Sequence, residues 1–259
     1  MTRNRTIVVA LAAVLALGAG VYLAYDNVLR GDEVAPLALP SASADAGSVA
    51  SAEPTETAAT SAAPAATADA GSSASTESEV AGTWTVAAGS EAGYRVREQL
   101  ANLPAESDAV GRTSDVTGSI TLAASGDGAQ LTDGSIEVDT TTIESDESRR
   151  DDRLRSEGLE TDEFPSATFT ITAPVEIPAT AVAGEATDIT LVGDLSLHGV
   201  TRSVEIPAQA RLADGQIQVA GSITFPLADF DITAPNIGGF IVSIADEGAL
   251  EFLVVFEKA

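Results

Sequence analysis

The residues best suited to chemistry fall in two places. His198 is the single histidine of 259 residues. It ends the run Gly193-Asp-Leu-Ser-Leu-His198 and is the one side chain whose ordinary pKa lies near neutrality. A general base there needs an oriented nucleophile, but the chain has no cysteine and no Gly-x-Ser-x-Gly elbow. A role in the turn, or a polar contact with a ligand, therefore fits His198 better than catalysis. The second place is Arg149-Arg150-Asp151-Asp152. An arginine fork suits a phosphate or a quinone oxygen. The same residues also suit a solvated helix laced with ion pairs, or a buried Arg–Asp pair pinning a helix to its neighbour. The nearby carboxylates of Glu144, Asp146 and Glu147 lack the spacing of a calcium loop and are interleaved with arginines. Without cysteine, and with one histidine, a Cys- or His-cluster metal site is excluded. No catalytic residue, cofactor or metal ligand is assigned.

Strand periodicity must position these groups. Val116, Gly118, Ile120 and Leu122 share a face, as do Ile136 and Val138, then Phe169, Ile171 and Ala173. The alternation continues through Ile189, Leu191, Gly193, Leu195 and Leu197, then Val204 and Ile206. Ile217, Val219, Gly221, Ile223 and Phe225 follow, and Leu250, Phe252, Val254 and Phe256 complete it. Turn signals stand at Ser125-Gly-Asp-Gly128, Asp133-Gly134, Asp214-Gly215 and Glu247-Gly248. Eight or nine strands with short connections predict an all-β antiparallel barrel or sandwich. One stretch breaks the pattern. Ser145 to Leu159 has no β-branched residue and predicts a short helix that starts at Ser145 and ends at Gly158. Asp146 with Arg150 and Asp151 with Arg155 are its i,i+4 pairs, and Leu154 and Leu159 are expected to turn inward.

The remainder divides by composition. Residues 1–30 carry Arg3 and Arg5 ahead of an uncharged apolar run, Ile7 to Ala24. Roughly 18 helical residues cover about 27 Å, close to one bilayer core. Charge asymmetry predicts a single-pass helix with a cytoplasmic N-terminus; a cleaved signal peptide is the competing reading. Either way the rest of the chain is expected to be exported. Residues 31–79 are rich in Ala, Ser, Thr and Pro, without aromatics, and read as a disordered linker. About 48 flexible residues give a span near 40 Å. Residues 80–259 form the folded domain. The net charge of −26 opposes binding to nucleic acid or anionic headgroups.

Four blocks of the folded domain resemble one known family. Arg149-Arg-Asp-Asp-Arg-Leu154 with Phe164-Pro-Ser-Ala-Thr-Phe169 is similar to its "RRD-x-x-L … F/Y-P-x-x-x-F" signature. Gly193-Asp-Leu-Ser-Leu-His-Gly-Val-Thr-Arg202 resembles its strand–turn–strand block. Asp229-Phe-Asp-Ile-Thr-Ala-Pro235 and Glu251-Phe252 follow in order. The family is the YceI-like lipid/polyisoprenoid-binding domain, and the resemblance covers about residues 82–257. It implies an eight-stranded lipocalin-like barrel with a short helix across it and an amphiphilic isoprenoid chain inside. The chain departs from the family at Glu98-Gln99-Leu100, where many members carry His-Leu, a change that bears on the cavity mouth or the headgroup it accepts. Ser203 stands where proline is common.

The expected lumen or rim residues are Tyr94, Val96, Phe164, Phe169, Leu195, Leu197, His198, Phe225, Phe230, Phe240 and Phe252. Arg149 and Arg150 are the headgroup candidates, and Trp84 is expected to plug one end. Gly118, Gly193, Gly221 and Ala173 either leave space in the lumen or mark bends. The expected function is a membrane-tethered, extracytoplasmic protein that sequesters or carries a polyisoprenoid or similar long-chain lipid without transforming it. The alternative is an envelope interaction or adhesion module acting through the acidic surface. Ligand identity and a homodimer are left open.

Overall fold

The protein is described by a computed structural model covering residues 34–40, 80–100, 106–234 and 241–259. The apolar run at 7–24 and most of the expected linker lie outside the described residues. Among the described residues no helix is long and apolar enough to cross a membrane.

The strands are β1 (Gly82–Val86), β2 (Glu91–Leu100), β3 (Glu106–Thr113), β4 (Val116–Ser125), β5 (Gly128–Asp139), β6 (Glu144–Ser145) and β7 (Ser166–Ile171). They continue with β8 (Val175–Ile177), β9 (Thr187–Leu197), β10 (Val200–Ala213), β11 (Gln216–Pro226) and β12 (Ile241–Lys258). Pairing is antiparallel throughout. β1 pairs with β4 and β2 with β3, so these four pieces make one long bent hairpin of two staves. β7 and β8 both lie against β5 and form another stave. β9, β10, β11 and β12 then follow as neighbours in chain order. The far end of β12 pairs with β1 and its nearer part with β2, which closes an eight-stranded barrel. At the β1–β2 bend the ladder is interrupted, and Ser90 fills in. Its buried hydroxyl accepts from the Val255 N–H (3.0 Å) and donates to the Ala87 carbonyl (2.8 Å).

Asp214-Gly215 is a two-residue hairpin turn with φ of 53° and 75°. Asp133-Gly134 and Glu247-Gly248, expected as turns, are instead inside β5 and β12. The β4–β5 register shifts beside Thr121, where Thr132 is bulged and its hydroxyl donates to the Thr121 carbonyl (3.2 Å). The β2–β12 register shifts between Ile244 and Gly248. Continuous pairing on either side holds these segments extended, so each local turn signal marks a bulge.

The predicted helix forms, later than expected. α1 (Ser148–Arg153) is capped by Glu147, whose carboxylate accepts from the Arg149 N–H (3.4 Å), and it widens into a π-helical turn over Leu154–Gly158. Ser145 is excluded as the cap because Asp151 engages its N–H (3.1 Å) and its hydroxyl (2.6 Å). Asp151 is therefore occupied, and Arg155 reaches Asp152 (3.3 Å) and the Ile143 carbonyl (3.1 Å). The Asp146–Arg150 pair is present at 2.5 Å.

A second short helix, α2 (Ala179–Val182), buries Ala181 and Val182 at the opposite end of the barrel. Trp84 is buried at that same end. Its indole N–H donates to the Val80 carbonyl (2.8 Å), and Lys258 Nζ lies 5.7 Å from the ring centroid. On the outer wall, Leu37 and Ala38 line a groove with Pro174, Asp188, Pro207 and Ala220.

Candidate functional site

Alternation on the staves sends one face of each to a common interior. That interior is a cavity of about 250 Å³ whose walls include Ile120, Leu131, Ile136, Leu191, Val219 and Val254. It extends from Ala181 and Val182 of α2 at one end to Leu154, Gly158 and Leu159 beside α1 at the other. Leu154 and Leu159 turn inward as expected.

Tyr94, Val96, Phe169, Leu195, Leu197, Phe225 and Phe252 line the cavity. Phe164, His198 and Phe230 lie elsewhere, and Phe240 lies outside the described residues. His198 directly follows inward-facing Leu197, adopts φ of 50° in the β9–β10 turn and does not line the cavity. One ring nitrogen, Nδ1, is 3.0 Å from the Phe230 carbonyl and Nε2 is 3.0 Å from Glu160 Oε2. Phe164 meets the ring edge-on at 4.8 Å between centroids. His198 thus ties the turn to the segment after α1 and to the turn at Leu227–Phe230. Phe230 is 1% exposed and packs edge-on against Phe225 at 4.9 Å.

The lumen glycines serve the rings. A Cβ on Gly193 would stand 2.7 Å from Phe169 Cζ, and one on Gly221 would stand 2.9 Å from Phe252 Cζ. A Cβ on Gly111 would come within 2.3 Å of Tyr94 Cε1. Each ring therefore lies against a bare stretch of the adjacent strand. A larger wall residue would push these rings into the bore.

Polar groups enter the cavity at the end that carries α1. Glu98 lies on the inward face of β2, with Ala92, Tyr94 and Val96 at alternate positions. It is 3% exposed and receives Arg150 Nη2 at 2.7 Å. Arg150 Nη1 donates to Asp146 (2.5 Å) and to the Ser145 hydroxyl (3.2 Å), while its Nε has no partner. Burial alone would lower the Arg150 pKa, but the hydrogen bond to Asp146 and the charges of Glu98 and Asp146 outweigh it and raise it. The Tyr94 hydroxyl also has no partner at hydrogen-bond geometry; nearby Ser145 is committed to Asp151. Burial pushes the Tyr94 phenol up to about 12; Arg150 and the nearby Ser145 hydroxyl oppose this, while Asp151 and Glu98 add to it.

Arg149 does not line the cavity, whereas Arg150 does. The carboxylate partner of Arg150 on the barrel is Glu98, which sequence reasoning missed by looking for an Arg–Asp pair. The inward parity of 92, 94, 96 and 98 was the available signal. A second buried network joins β2, β3 and β12, where Glu251, 3% exposed, receives Arg112 (2.8 Å) and Arg95 (3.4 Å). Among the described residues no cluster of His, Asp and Glu could hold a metal ion.

A family model for the YceI-like domain matches residues 84–256. The chain belongs to the YceI-like domain family. A UPF0312 protein of Shewanella denitrificans is 34% identical over 134 residues, which span 48% of this chain and 63% of that protein. Protein YceI of Escherichia coli is 35% identical over 75 residues, 29% of this chain and 35% of its own length. The match thus spans less than two thirds of either curated relative. Among solved structures, a polyisoprenoid-binding domain from Saccharophagus degradans, implicated in plant cell wall breakdown, aligns with a TM-score of 0.52 at 19% identity. It covers 69% of this chain and 99% of that one. Burkholderia cenocepacia BcnA aligns with a TM-score of 0.50 at 18% identity, covering 66% and 98%. At these identities the likeness is one of fold. In this fold Glu98 puts a carboxylate on the inward face of β2, against α1.

Two outcomes follow. Glu98→Ala leaves Arg150 without its buried partner and should cost about 3–5 kcal/mol, whereas Glu98→Leu with Arg150→Met should restore most of it. Urea unfolding of the full chain checks this; equal losses in both variants would remove the pair from its anchoring role. The second concerns pH. The Tyr94 pKa is raised above the ordinary 10.0, so the folded state holds the proton more tightly. Its stabilising contribution is complete below pH 10 and is lost as pH rises toward 12. A phenolate absorbance titration, wild type minus Tyr94→Phe, should show a step near 12, and a step near 10 would place the phenol in water.

Proposed function

We propose that this protein binds a polyisoprenoid or similar long-chain amphiphile in the barrel lumen and sequesters or carries it without transforming it. The observation that carries this reading is the cavity itself, bounded mainly by aliphatic and aromatic side chains along the length of the barrel. Each CH₂ moved from water into such a lumen contributes about 0.8 kcal/mol, so a few isoprene units offset the cost of association. The Saccharophagus degradans domain of the same fold is a polyisoprenoid-binding one, which supports the ligand class. His198, with both ring nitrogens engaged in holding turns together, supports a binding role over a reaction.

The proposal extends to location. The apolar run from Ile7 to Ala24 tethers the barrel to the membrane, with the barrel on the extracytoplasmic side. A lipid carrier needs access to a bilayer, which a membrane tether supplies.

Two experiments test these parts. Lipid extracted from the full chain purified out of membranes should contain a prenyl or other long-chain species by mass spectrometry. Ile223→Trp, which adds volume to the lumen wall, should abolish that lipid and leave the thermal midpoint nearly unchanged. A packed interior would instead lose about 1–3 kcal/mol and show no lipid in either protein. Because the chain has no cysteine, Ser43→Cys supplies a unique thiol. A membrane-impermeant maleimide should label it in intact cells, and labelling only after lysis would overturn the extracytoplasmic placement.

A further inference from the structure

The outer wall of the barrel carries a patch that departs from the polar-outward pattern of a solvated sheet. On β11 the inward positions are Ile217, Val219, Ile223 and Phe225, so Ala220 points outward. Ala220 is nevertheless 5% exposed, and it belongs to neither apolar cluster of the interior. It lies in a groove with Pro174 and Pro207, and Leu37 and Ala38 line the same groove. Both prolines lack a backbone N–H, and the ladders part around them. β7 gives way to β8 at Pro174, and the β10–β11 ladder begins at Ala208–Gly221, next to Pro207. The two acidic residues of the groove are held sideways. Asp188 accepts from Gln209 (2.9 Å) and Glu176 accepts from Gln130 (2.5 Å). A chain lying here meets a small apolar floor with negatively charged sides.

The segment that reaches this floor differs from its surroundings. Leu37 and Leu39 are the only leucines among residues 31–79, and Pro36 and Pro40 flank them. Both leucines are half-buried, whereas Ala38 and Pro40 are exposed. That alternation is the period of an extended chain with one face against a wall. A proline fixes its own φ and biases the residue before it to extended backbone, so Leu39-Pro40 loses little freedom on docking. Residues 37–40 carry no charge and meet no repulsion from Glu176 and Asp188. Pro40 and Val80 are joined by the 39 residues 41–79. A connection of that length, treated as a random coil, spans roughly 34 Å and holds the segment at an effective concentration near millimolar. Docking within one chain is therefore favoured over docking on a second copy.

We propose that this groove is a docking site for the chain's own residues 37–40, which act in cis as a strap on the outer wall. With the strap seated, residues 41–79 form a loop, and the barrel is leashed to the apolar run of residues 7–24 through residues 25–36 alone. With the strap released, the leash runs through residues 25–79. The leash rests on the membrane-tether reading; the docking does not.

The test uses the full chain, which has no native cysteine. Ala38→Cys is paired with Ser222→Cys in the groove, or with Thr117→Cys on β4, which lies opposite β10 in the closed ring of strands. Both second sites are exposed. A short bismaleimide should join 38 to 222 within one chain at least ten-fold faster than 38 to 117, read by mass spectrometry of tryptic peptides. Adding Leu37→Asp and Leu39→Asp should remove that difference and leave the thermal midpoint nearly unchanged, because neither leucine belongs to the barrel core. Equal rates at the two sites, a difference that survives both aspartates, or cross-links mainly between chains overturns the docking. The leash is read separately in phosphatidylcholine vesicles with rhodamine-labelled headgroups. Energy transfer from a donor dye on Thr117→Cys should fall at least two-fold once both aspartates are present. Unchanged transfer overturns the leash and leaves the docking in place. A chain that does not float with the vesicles overturns the tether reading and the leash with it, while the cross-link still decides the docking.

Discussion

Closure of the sheet is the constraint on which the rest of this structure depends. β12 spans both halves of the bent first stave, pairing through Phe256, Glu257 and Lys258 with β1 and through residues 241–253 with β2. That seam meets the backbone hydrogen bonds of the wall within the wall itself. A sheet without free edges does not need a filled interior to satisfy its polar groups. A barrel can therefore remain hollow where a sandwich of the same strands would have to pack. The seam is also where the ladder is weakest. The first stave bends between Val86 and Glu91, and the Ser90 hydroxyl takes over at Val255.

Hollowness has a second requirement, since large side chains must line the wall without filling the bore. The solution is the pairing of rings with glycines. Phe169 lies over Gly193 and Phe252 over Gly221, at separations that leave no room for a Cβ. From sequence alone these glycines are either space or bends. In the structure they accommodate rings set against the wall, which makes space through their neighbours.

The inward faces were legible because period-two alternation is a local property. Ile120, Leu122, Ile136, Leu191, Val219, Phe225 and Val254 all line the cavity as the pattern required. Features decided by distant pairing were not legible. Asp133-Gly134 and Glu247-Gly248 carry turn chemistry but lie at register shifts inside strands, because the neighbouring strands continue past them. His198 and Phe230 lie next to lumen residues in sequence, yet both sit in turns, His198 between β9 and β10 and Phe230 at Leu227–Phe230, and neither lines the cavity. The helix start was misjudged for a similar reason. Ser145 has the chemistry of a cap, but Asp151, six residues on, claims its hydroxyl and its N–H.

The Glu98–Arg150 contact joins the short helix to the barrel wall. A helix as short as α1 has little stability of its own, so its position must come from what it touches. Leu154 and Leu159 give it an apolar footing on the cavity, and the ion pair ties it to β2. Anchoring by two apolar residues alone would leave the helix free to slide; the charged pair fixes a register. The same pair then determines the charge seen by anything lying in that end of the lumen. An arginine with no carboxylate partner would make the region an anion site, and an apolar replacement would leave the tyrosine hydroxyl as its main polar feature. With Glu98 in place the arginine is neutralised while one of its N–H groups remains unpartnered.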